Sequence, residues 1–352
     1  MLLNKKNIDT CTSLPIGKDK NGNLLKIRID KLTIVSSFIN KEEKNKTYAK
    51  LKKIRQKIKS KYLIKYIKNK EEMPYKSALL IRERKKESPL LLRIDYAPIN
   101  KNTGGIRFDF YPQYLTPKKI DQLLSWMNLQ LGEIVYHLLA RAWVTRIDVA
   151  LDLYERYLHD YIWELRQAGK TKYFNEENSL PGVQLGSNRS KIHLLCYEKL
   201  DAFNDKCVIR EKNSDLIKIN FNTHKKFLRI ESRYMPNSRP TSKNGNPLML
   251  KDILKMENPF IRLQVYSKDL THHLSKNEYI VTIPPEPSTY ALKCCIKREM
   301  KYSRIPRDIQ RIFIKHRISF FEKDIIWESW LICVKQLSGI FTIALAYKDR
   351  GD

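Results

Sequence analysis

The chain has 352 residues and a mass of 41.8 kDa, with 42% hydrophobic residues, enough for one large domain or two ordinary ones with a buried core. Its 67 lysines and arginines against 38 acids give a formal net charge of +29 and a pI near 9.7, which points to a polyanionic partner: nucleic acid first, an acidic membrane surface second. The six cysteines (Cys11, Cys196, Cys207, Cys294, Cys295 and Cys333) form no CxxC pair and no zinc-finger spacing, so they read as reduced thiols of a cytoplasmic protein. The first residues, Met1 to Lys6, lack the apolar run of a signal peptide.

In chain order, Leu25 to Phe38 alternates β-branched and polar residues and predicts a strand. Lys41 to Lys70 holds only two acids, Glu42 and Glu43, and places Leu51, Ile54, Ile58 and Tyr62 at helical steps. It predicts one basic amphipathic helix, whose Lys52, Lys53 and Arg55 are candidate DNA-backbone contacts; a solvated face is the other reading. Residues 79–84, 90–98 and 106–112 read as strands, with a turn at Asn102 to Gly105. Thr116 is the expected N-cap of a helix that starts at Pro117, runs to about Leu131 and buries Ile120, Leu123, Leu124 and Met127. A short helical piece and a strand from Trp143 to Tyr154 follow. A helix is expected near His159 to Ala168, then strands at Lys191 to Lys199 and Lys225 to Tyr234.

This order predicts an α+β fold: a mostly antiparallel central sheet with helices packed on one face. Residues 1–24 form an N-terminal segment and 25–235 the main domain. Residues 236–247, rich in Pro, Gly, Ser and Asn, read as a linker or loop, and 248–352 as a mainly helical region able to hold DNA. Within that region Ile325 to Tyr347 is the most apolar stretch. Ile326, Trp330, Val334, Leu337 and Phe341 recur at helical spacing, which predicts a core helix rather than a membrane span, and no stable membrane association is expected.

Three strands carry polar residues where a core strand would not. On Arg146 to Leu153, the residues Ile147, Val149, Leu151 and Leu153 share one face, and Arg146, Asp148 and Asp152 the other. Residues four apart on a strand are roughly 13 Å apart, so one cation does not easily take both aspartates. Asp148 is the preferred ligand, and Asp152 is either a second ligand or the partner of a nearby cation. On Ile192 to Lys199, His193, Tyr197 and Lys199 share a face. Tyrosine ionises near pH 10, so its use as a nucleophile needs a nearby cation or metal. Lys199 can neutralise a phosphate, and His193 can ligate metal or move a proton. On Phe227 to Tyr234, Arg229, Glu231 and Arg233 share a face; Glu231 can complete a metal site and the arginines can grip DNA. Surface carboxylates, an ordinary sheet tyrosine and a cross-strand salt-bridge ladder explain the same patterns. The Gly186-Ser187 turn, with Arg189 and Lys191, can present N–H groups and charge to a phosphate.

The chain has no GxxxxGK[ST], HExxH, GxSxG or GxGxxG motif, and no His-hydrophobic-His pair. The succession DKLTIVSSF, IRFDFYPQYLT, TRIDVALD, GKTKYF, LGSNRSKIHLLCYEKL and FLRIESR resembles plasmid rolling-circle replication initiators of the transesterase type. It also resembles conjugative relaxases of that type and, more distantly, filamentous-phage gene II nickases, over roughly residues 25 to 235. The resemblance implies Mg²⁺- or Mn²⁺-assisted nicking of one DNA strand, a 5′-phosphotyrosine bond and a free 3′-hydroxyl. Tyr197 is then the nucleophile and Asp148 and Glu231 the acidic metal ligands. The spacer between GKTKYF and LGSNRS is longer than the family's, which makes Tyr173 a rival nucleophile. The implied partners are origin DNA, both duplex and single-stranded, a separate helicase and polymerase, and a second copy of the chain as a candidate. The rival readings are a non-catalytic origin-binding initiator, a mobilisation relaxase with the same chemistry and, ranked lower, an RNA-binding protein.

Overall fold

The computed structural model describes residues 2–4, 7–9, 13–55, 61–85, 88–100, 103–168, 171–174, 180–201, 208–210, 216–220, 224–236 and 246–346. Strands β1 (Leu2–Asn4), β2 (Ile8–Asp9) and β3 (Leu14–Lys18) lead to the long β4 (Leu24–Ser36). Helix α1 (Lys41–Arg55) precedes the run β5 (Tyr62–Lys68), β6 (Tyr75–Glu83), β7 (Leu90–Pro98) and β8 (Ile106–Phe110). Helices α2 (Pro117–Leu131) and α3 (Ile134–Ala140) bring in β9 (Trp143–Tyr154), β10 (Tyr161–Leu165), β11 (Thr171–Phe174) and β12 (Gly182–Leu185). Then come β13 (Ile192–Asp201), β14 (Val208–Arg210), β15 (Leu216–Ile219) and β16 (Lys225–Tyr234). The remainder is β17 (Leu263–Ser267), α4 (Asp269–Lys276), α5 (Thr289–Glu299), α6 (Arg307–Lys315), β18 (Arg317–Ile318), α7 (Lys323–Glu328), α8 (Trp330–Lys335) and α9 (Gly339–Ala346).

The fold is α+β, as its order of elements predicts. One sheet dominates, with strands in the order β11-β12-β13-β16-β9-β4-β8-β7-β6-β5; β2 joins β13 and β3 joins β4. Neighbours along this path are antiparallel, and the described β2 to β13 pairing is parallel. Its apolar face carries Ile27, Phe108, Ile147, Leu151, Cys196 and Ile230. It packs with Leu123, Met127, Leu138, Trp330 and Phe341 of α2, α3, α8 and α9 in one core. Helix α2 begins as its sequence dictates. Pro117 supplies a helical φ, and the Thr116 hydroxyl accepts from the Lys119 N–H at 3.4 Å. It ends at Gly132, whose φ of +78° favours glycine.

Three predicted helices differ in the structure. The basic helix ends at Arg55, residues 56–60 lie outside the described residues, and Tyr62 starts strand β5. The run Tyr62-Leu63-Ile64-Lys65-Tyr66-Ile67 is aromatic and β-branched, and it pairs along its length with β6. In place of the helix at 159–168 there is a short 3₁₀ turn and then β10, paired with β17. Its alternation serves two cores: Trp163 and Leu165 face the main one, and Ile162 faces a second one built with Leu270, Leu292, Ile296 and Phe313 of α4, α5 and α6. The apolar stretch from Ile325 is three short helices, bent by 84° before α9, although its five predicted core residues are all buried. Ser338, at φ +46°, turns the chain there. Among the described residues no single helix is long and apolar enough to cross a membrane.

Gly169, Lys170, Asn102, Cys11, Cys207, Tyr347 and residues 237–245 of the expected linker lie outside the described residues. After that segment the chain returns to the sheet: Leu248 accepts from Val144 N–H at 2.7 Å, and Leu250 N–H donates to Ala142 at 2.8 Å. The remaining four cysteines are free thiols.

Candidate functional site

The face of the sheet opposite the helices is polar, and the sequence writes it as one repeated tripeptide. Arg-x-Asp or Arg-x-Glu occurs on five adjacent strands: Arg229-Glu231 on β16, Arg146-Asp148 on β9, Arg28-Asp30 on β4, Arg107-Asp109 on β8 and Arg93-Asp95 on β7. Residues two apart on a strand share a face, so each arginine can close on its own acid. Three do: Arg28 on Asp30 at 2.5 Å, Arg93 on Asp95 at 2.8 Å and Arg146 on Asp148 at 2.6 Å; Arg107 instead reaches across to Asp95 on β7 at 2.8 Å and stays 3.5 Å from its own Asp109. A register shift at Ile29/Lys31 places Asp30 in a bulge of β4.

The pair on β16 is broken outright. Arg229 is fully buried and turns to Asp152, directly opposite on β9, with a fork of 2.6 and 2.8 Å. Glu231 is left to others. It accepts the Tyr197 hydroxyl at 2.8 Å and Arg233 Nε at 3.2 Å. Tyr197 lies opposite Arg229 in the register, with Gly182 on its other side, so Gly182, Tyr197, Arg229, Asp152 and Lys26 form one row across the polar face. Lys199 Nζ is 6.0 Å from the centre of the Tyr197 ring. Phe174, opposite Gly182 on β11, lies over that glycine: a Cβ there would come within 2.2 Å of the ring. The glycine therefore lets an exposed aromatic, 36% accessible, sit beside Tyr197.

Burial, reinforced by the Glu231 charge, holds the Tyr197 hydroxyl well above the ordinary tyrosine range, so the group is neutral and hands its proton toward a carboxylate. Burial lowers the Lys199 ammonium, and the Arg229 charge lowers it further. Burial raises Asp148 to about 6; the Arg146 fork opposes this and the Glu231 charge adds to it. His193, 1% exposed and opposite Arg233, has neither ring nitrogen hydrogen-bonded. Burial and then the charges of Arg233 and Arg146 lower it to about 4, so it is a neutral imidazole at pH 7.

Asp148, Asp152, His193, Tyr197, Lys199, Arg229, Glu231, Arg233 and Arg146 thus lie on three neighbouring strands, β13, β16 and β9. Tyr173 is not with them. It pairs with Val183, which pairs with Cys196, and these belong to the apolar face; its hydroxyl donates to the Pro287 carbonyl at 2.9 Å. Lys52, Lys53 and Arg55 are exposed on α1, which packs on α2 and β5. Strand β5 is seven steps from β13, roughly 34 Å along the sheet. Arg189 is exposed in a turn whose Gly186 needs its φ of +90°. The Ser187 hydroxyl already accepts from the Arg189 N–H at 3.3 Å. Lys191 pairs with Glu257 at 3.6 Å. Sequence reasoning missed Asp9 and Asp30, which also reach Arg229, and Arg28, which pairs with both; the recurrence of Arg-Ile-Asp at 28, 93 and 146 is the signal that finds Arg28 and Asp30.

A hard cation needs several oxygen donors free to turn toward it. Asp148 carries the Arg146 fork and Glu231 carries Tyr197 and Arg233. Among the described residues no three His, Cys, Asp or Glu side chains gather on one point. The donor set in this arrangement does not fit Mg²⁺ or Mn²⁺, although His193 keeps unused nitrogens.

No protein-family model matches the chain, and no curated protein matches it. Among solved structures it is similar to a rolling circle replication initiator protein from Geobacillus stearothermophilus, with 16% identity, a TM-score of 0.32, and 60% of this chain and 75% of that chain covered.

Proposed function

We propose that this chain is a replication initiator that nicks and rejoins one DNA strand at an origin, with Tyr197 as nucleophile. The observation that carries the proposal is the Tyr197 hydroxyl hydrogen-bonded to Glu231 at 2.8 Å, on a polar face crowded with cations. A neutral tyrosine needs its proton removed as it attacks, and a carboxylate at hydrogen-bond distance is the acceptor. The Tyr197 oxygen forms a bond to phosphorus, and its proton passes to Glu231. The bond from phosphorus to the 3′-oxygen breaks, and that oxygen leaves as a hydroxyl with a proton from solvent, to which Glu231 returns the one it took. One phosphodiester is exchanged for another, so resealing needs no nucleotide triphosphate. Lys199, Arg229 and Arg233 sit where negative charge develops. Phe174 offers an unpaired base a ring to stack on.

Duplex DNA is assigned to the lobe of α4, α5 and α6. Helix α6 presents Arg307, Gln310, Arg311 and Ile314 to solvent at steps of one helical face, which suits base edges and phosphates in a major groove. Unwinding and synthesis fall to a separate helicase and polymerase, and no step is routed through a metal.

The test is covalent adduct formation. Purified protein is incubated with labelled single strands from its replicon's origin, with Mg²⁺, with Mn²⁺ and with chelator, and resolved on a denaturing gel. Wild type and Tyr173→Phe form the adduct; Tyr197→Phe does not, and Glu231→Gln slows it by about a hundredfold or more, the scale of a lost general base. Strands from a transfer origin separate replication from mobilisation. The self-closed arginine–acid pairs favour a second reading, a non-catalytic origin-binding protein. Tight, salt-sensitive duplex binding with no adduct under any condition decides for it.

A further inference from the structure

Deepening the proposed strand-nicking reading, on which this rests, we infer that Arg28, Arg229 and Lys199 form a phosphodiester seat beside Tyr197, which the Asp9 carboxylate occupies until single-stranded DNA displaces it. Asp9 comes from β2, held to the end of β13 by two residues in parallel register, Ile8 with Leu200 and Asp9 with Asp201. It is 5% exposed. Its carboxylate takes Arg28 Nη2 at 2.5 Å and Nη1 at 3.3 Å, and also Arg229 Nη2.

The charges explain why this carboxylate is exchangeable. The central strands bring their own partners to the two arginines: Asp30 to Arg28, and Asp152 to Arg229. Arg28, Arg229 and Lys199 against Asp9, Asp30 and Asp152 is three against three. Without Asp9 it is three against two, buried, which favours one monoanion, and each DNA phosphodiester carries one negative charge. Arg229 Nη1 is buried without a hydrogen bond, 3.7 Å from Asp30. A phosphate offers more acceptor oxygens than a carboxylate and can supply that bond. The seat adjoins the nucleophile: Arg229 is opposite Tyr197, and Lys199 is two residues along the same strand. Ordering of the N-terminal strand on the sheet and entry of DNA are then mutually exclusive.

The test uses the full chain and reads binding without cleavage. Wild type, Asp9→Asn and Asp9→Asn with Lys199→Met are titrated by calorimetry with inorganic phosphate and with a ten-nucleotide oligothymidylate. Asp9→Asn is expected to bind both at least tenfold more tightly than wild type, and the added Lys199→Met to remove the gain. Unchanged affinity in a folded Asp9→Asn overturns the seat, and a gain for phosphate alone overturns its assignment to DNA. Hydrogen exchange of wild type settles the matter if Asp9→Asn does not fold. Saturating oligothymidylate is expected to speed exchange at Ile8 and Asp9, and unchanged protection there overturns the displacement. A gain in affinity with no adduct in the nicking assay keeps the seat and removes the nickase; adduct formation with unchanged affinity does the reverse.

Discussion

His193 gives the structure a pH signature that can be worked out in advance. The imidazole is 1% exposed, has no hydrogen-bond partner and faces the charges of Arg233 and Arg146, so it titrates near 4 in the fold against 6.5 in a free chain. A lowered folded pKa means that the unfolded chain takes the proton first as pH falls. The histidine's contribution is whole above about pH 6.5, shrinks below it and is gone near pH 4. The gap of about 2.5 pK units is worth about 3 kcal/mol at 1.36 kcal/mol each. Asp148 has the opposite sign. Raised from 3.8 to about 6, it binds its proton first in the folded state, so its contribution is whole below pH 3.8 and is lost as pH rises through 6; about 2.2 units is again about 3 kcal/mol. Between pH 4 and 6 the two slopes cancel in wild type. His193→Leu removes one of them. Urea unfolding of both proteins from pH 4 to 7.5 is therefore expected to show the wild-type stability relative to the variant growing by about 3 kcal/mol between pH 4 and 6.5. A difference that stays flat within about 1 kcal/mol, or shrinks with rising pH, refutes the placement of a neutral, unpartnered imidazole there.

Arg229→Met leaves Asp152 buried without its fork. It is expected to cost about 3–5 kcal/mol in urea unfolding, with part of the loss recovered by Asp152→Asn in the same chain; a loss below about 1 kcal/mol contradicts the buried network. Phe174→Ala is expected to weaken single-strand binding by about 1–3 kcal/mol in fluorescence anisotropy while leaving the thermal melt unchanged. Gly182→Val is expected to do the same by pushing the ring aside, and an unaffected affinity in both removes the stacking role.

How much was legible in the sequence follows from where the determinants lie. Thr116, Pro117 and the apolar steps to Leu131 are local, and that helix forms where they place it. The faces of β9, β13 and β16 are a matter of parity, so the company of Asp148, Glu231 and Tyr197 was readable from alternation. The helix expected at 159–168 failed because Trp163 and Leu165 serve one core and Ile162 another, an arrangement created by β17 about a hundred residues later. That Tyr173 and Tyr197 lie on opposite faces depends on the pairing of β11 with β12 and β13, which alternation within either strand alone does not reveal. Asp9 was invisible because nothing local to residues 7–9 announces that two arginines, one of them Arg229, will close on it.

The repeated tripeptide carries the argument one step further. Five adjacent strands each bring an arginine and an acid to the polar face; three of these pairs close on themselves and Arg107 pairs across strands with Asp95, so these arginine and acid charges largely offset one another despite the net charge of +29. On the proposed reading, the exposed cations of α1 and of the C-terminal lobe add the salt-sensitive part of DNA binding. At β16 the departure from the pattern lies beside a tyrosine. Arg229 leaves its own strand's acid for Asp152, and the acid it leaves, Glu231, accepts a hydrogen bond from the hydroxyl of Tyr197 on the neighbouring strand. A regular fifth pair would have closed Arg229 on Glu231 and left Tyr197 without a proton acceptor. The proposed nicking reading rests on this departure beside Tyr197, and it does so independently of the sequence resemblance.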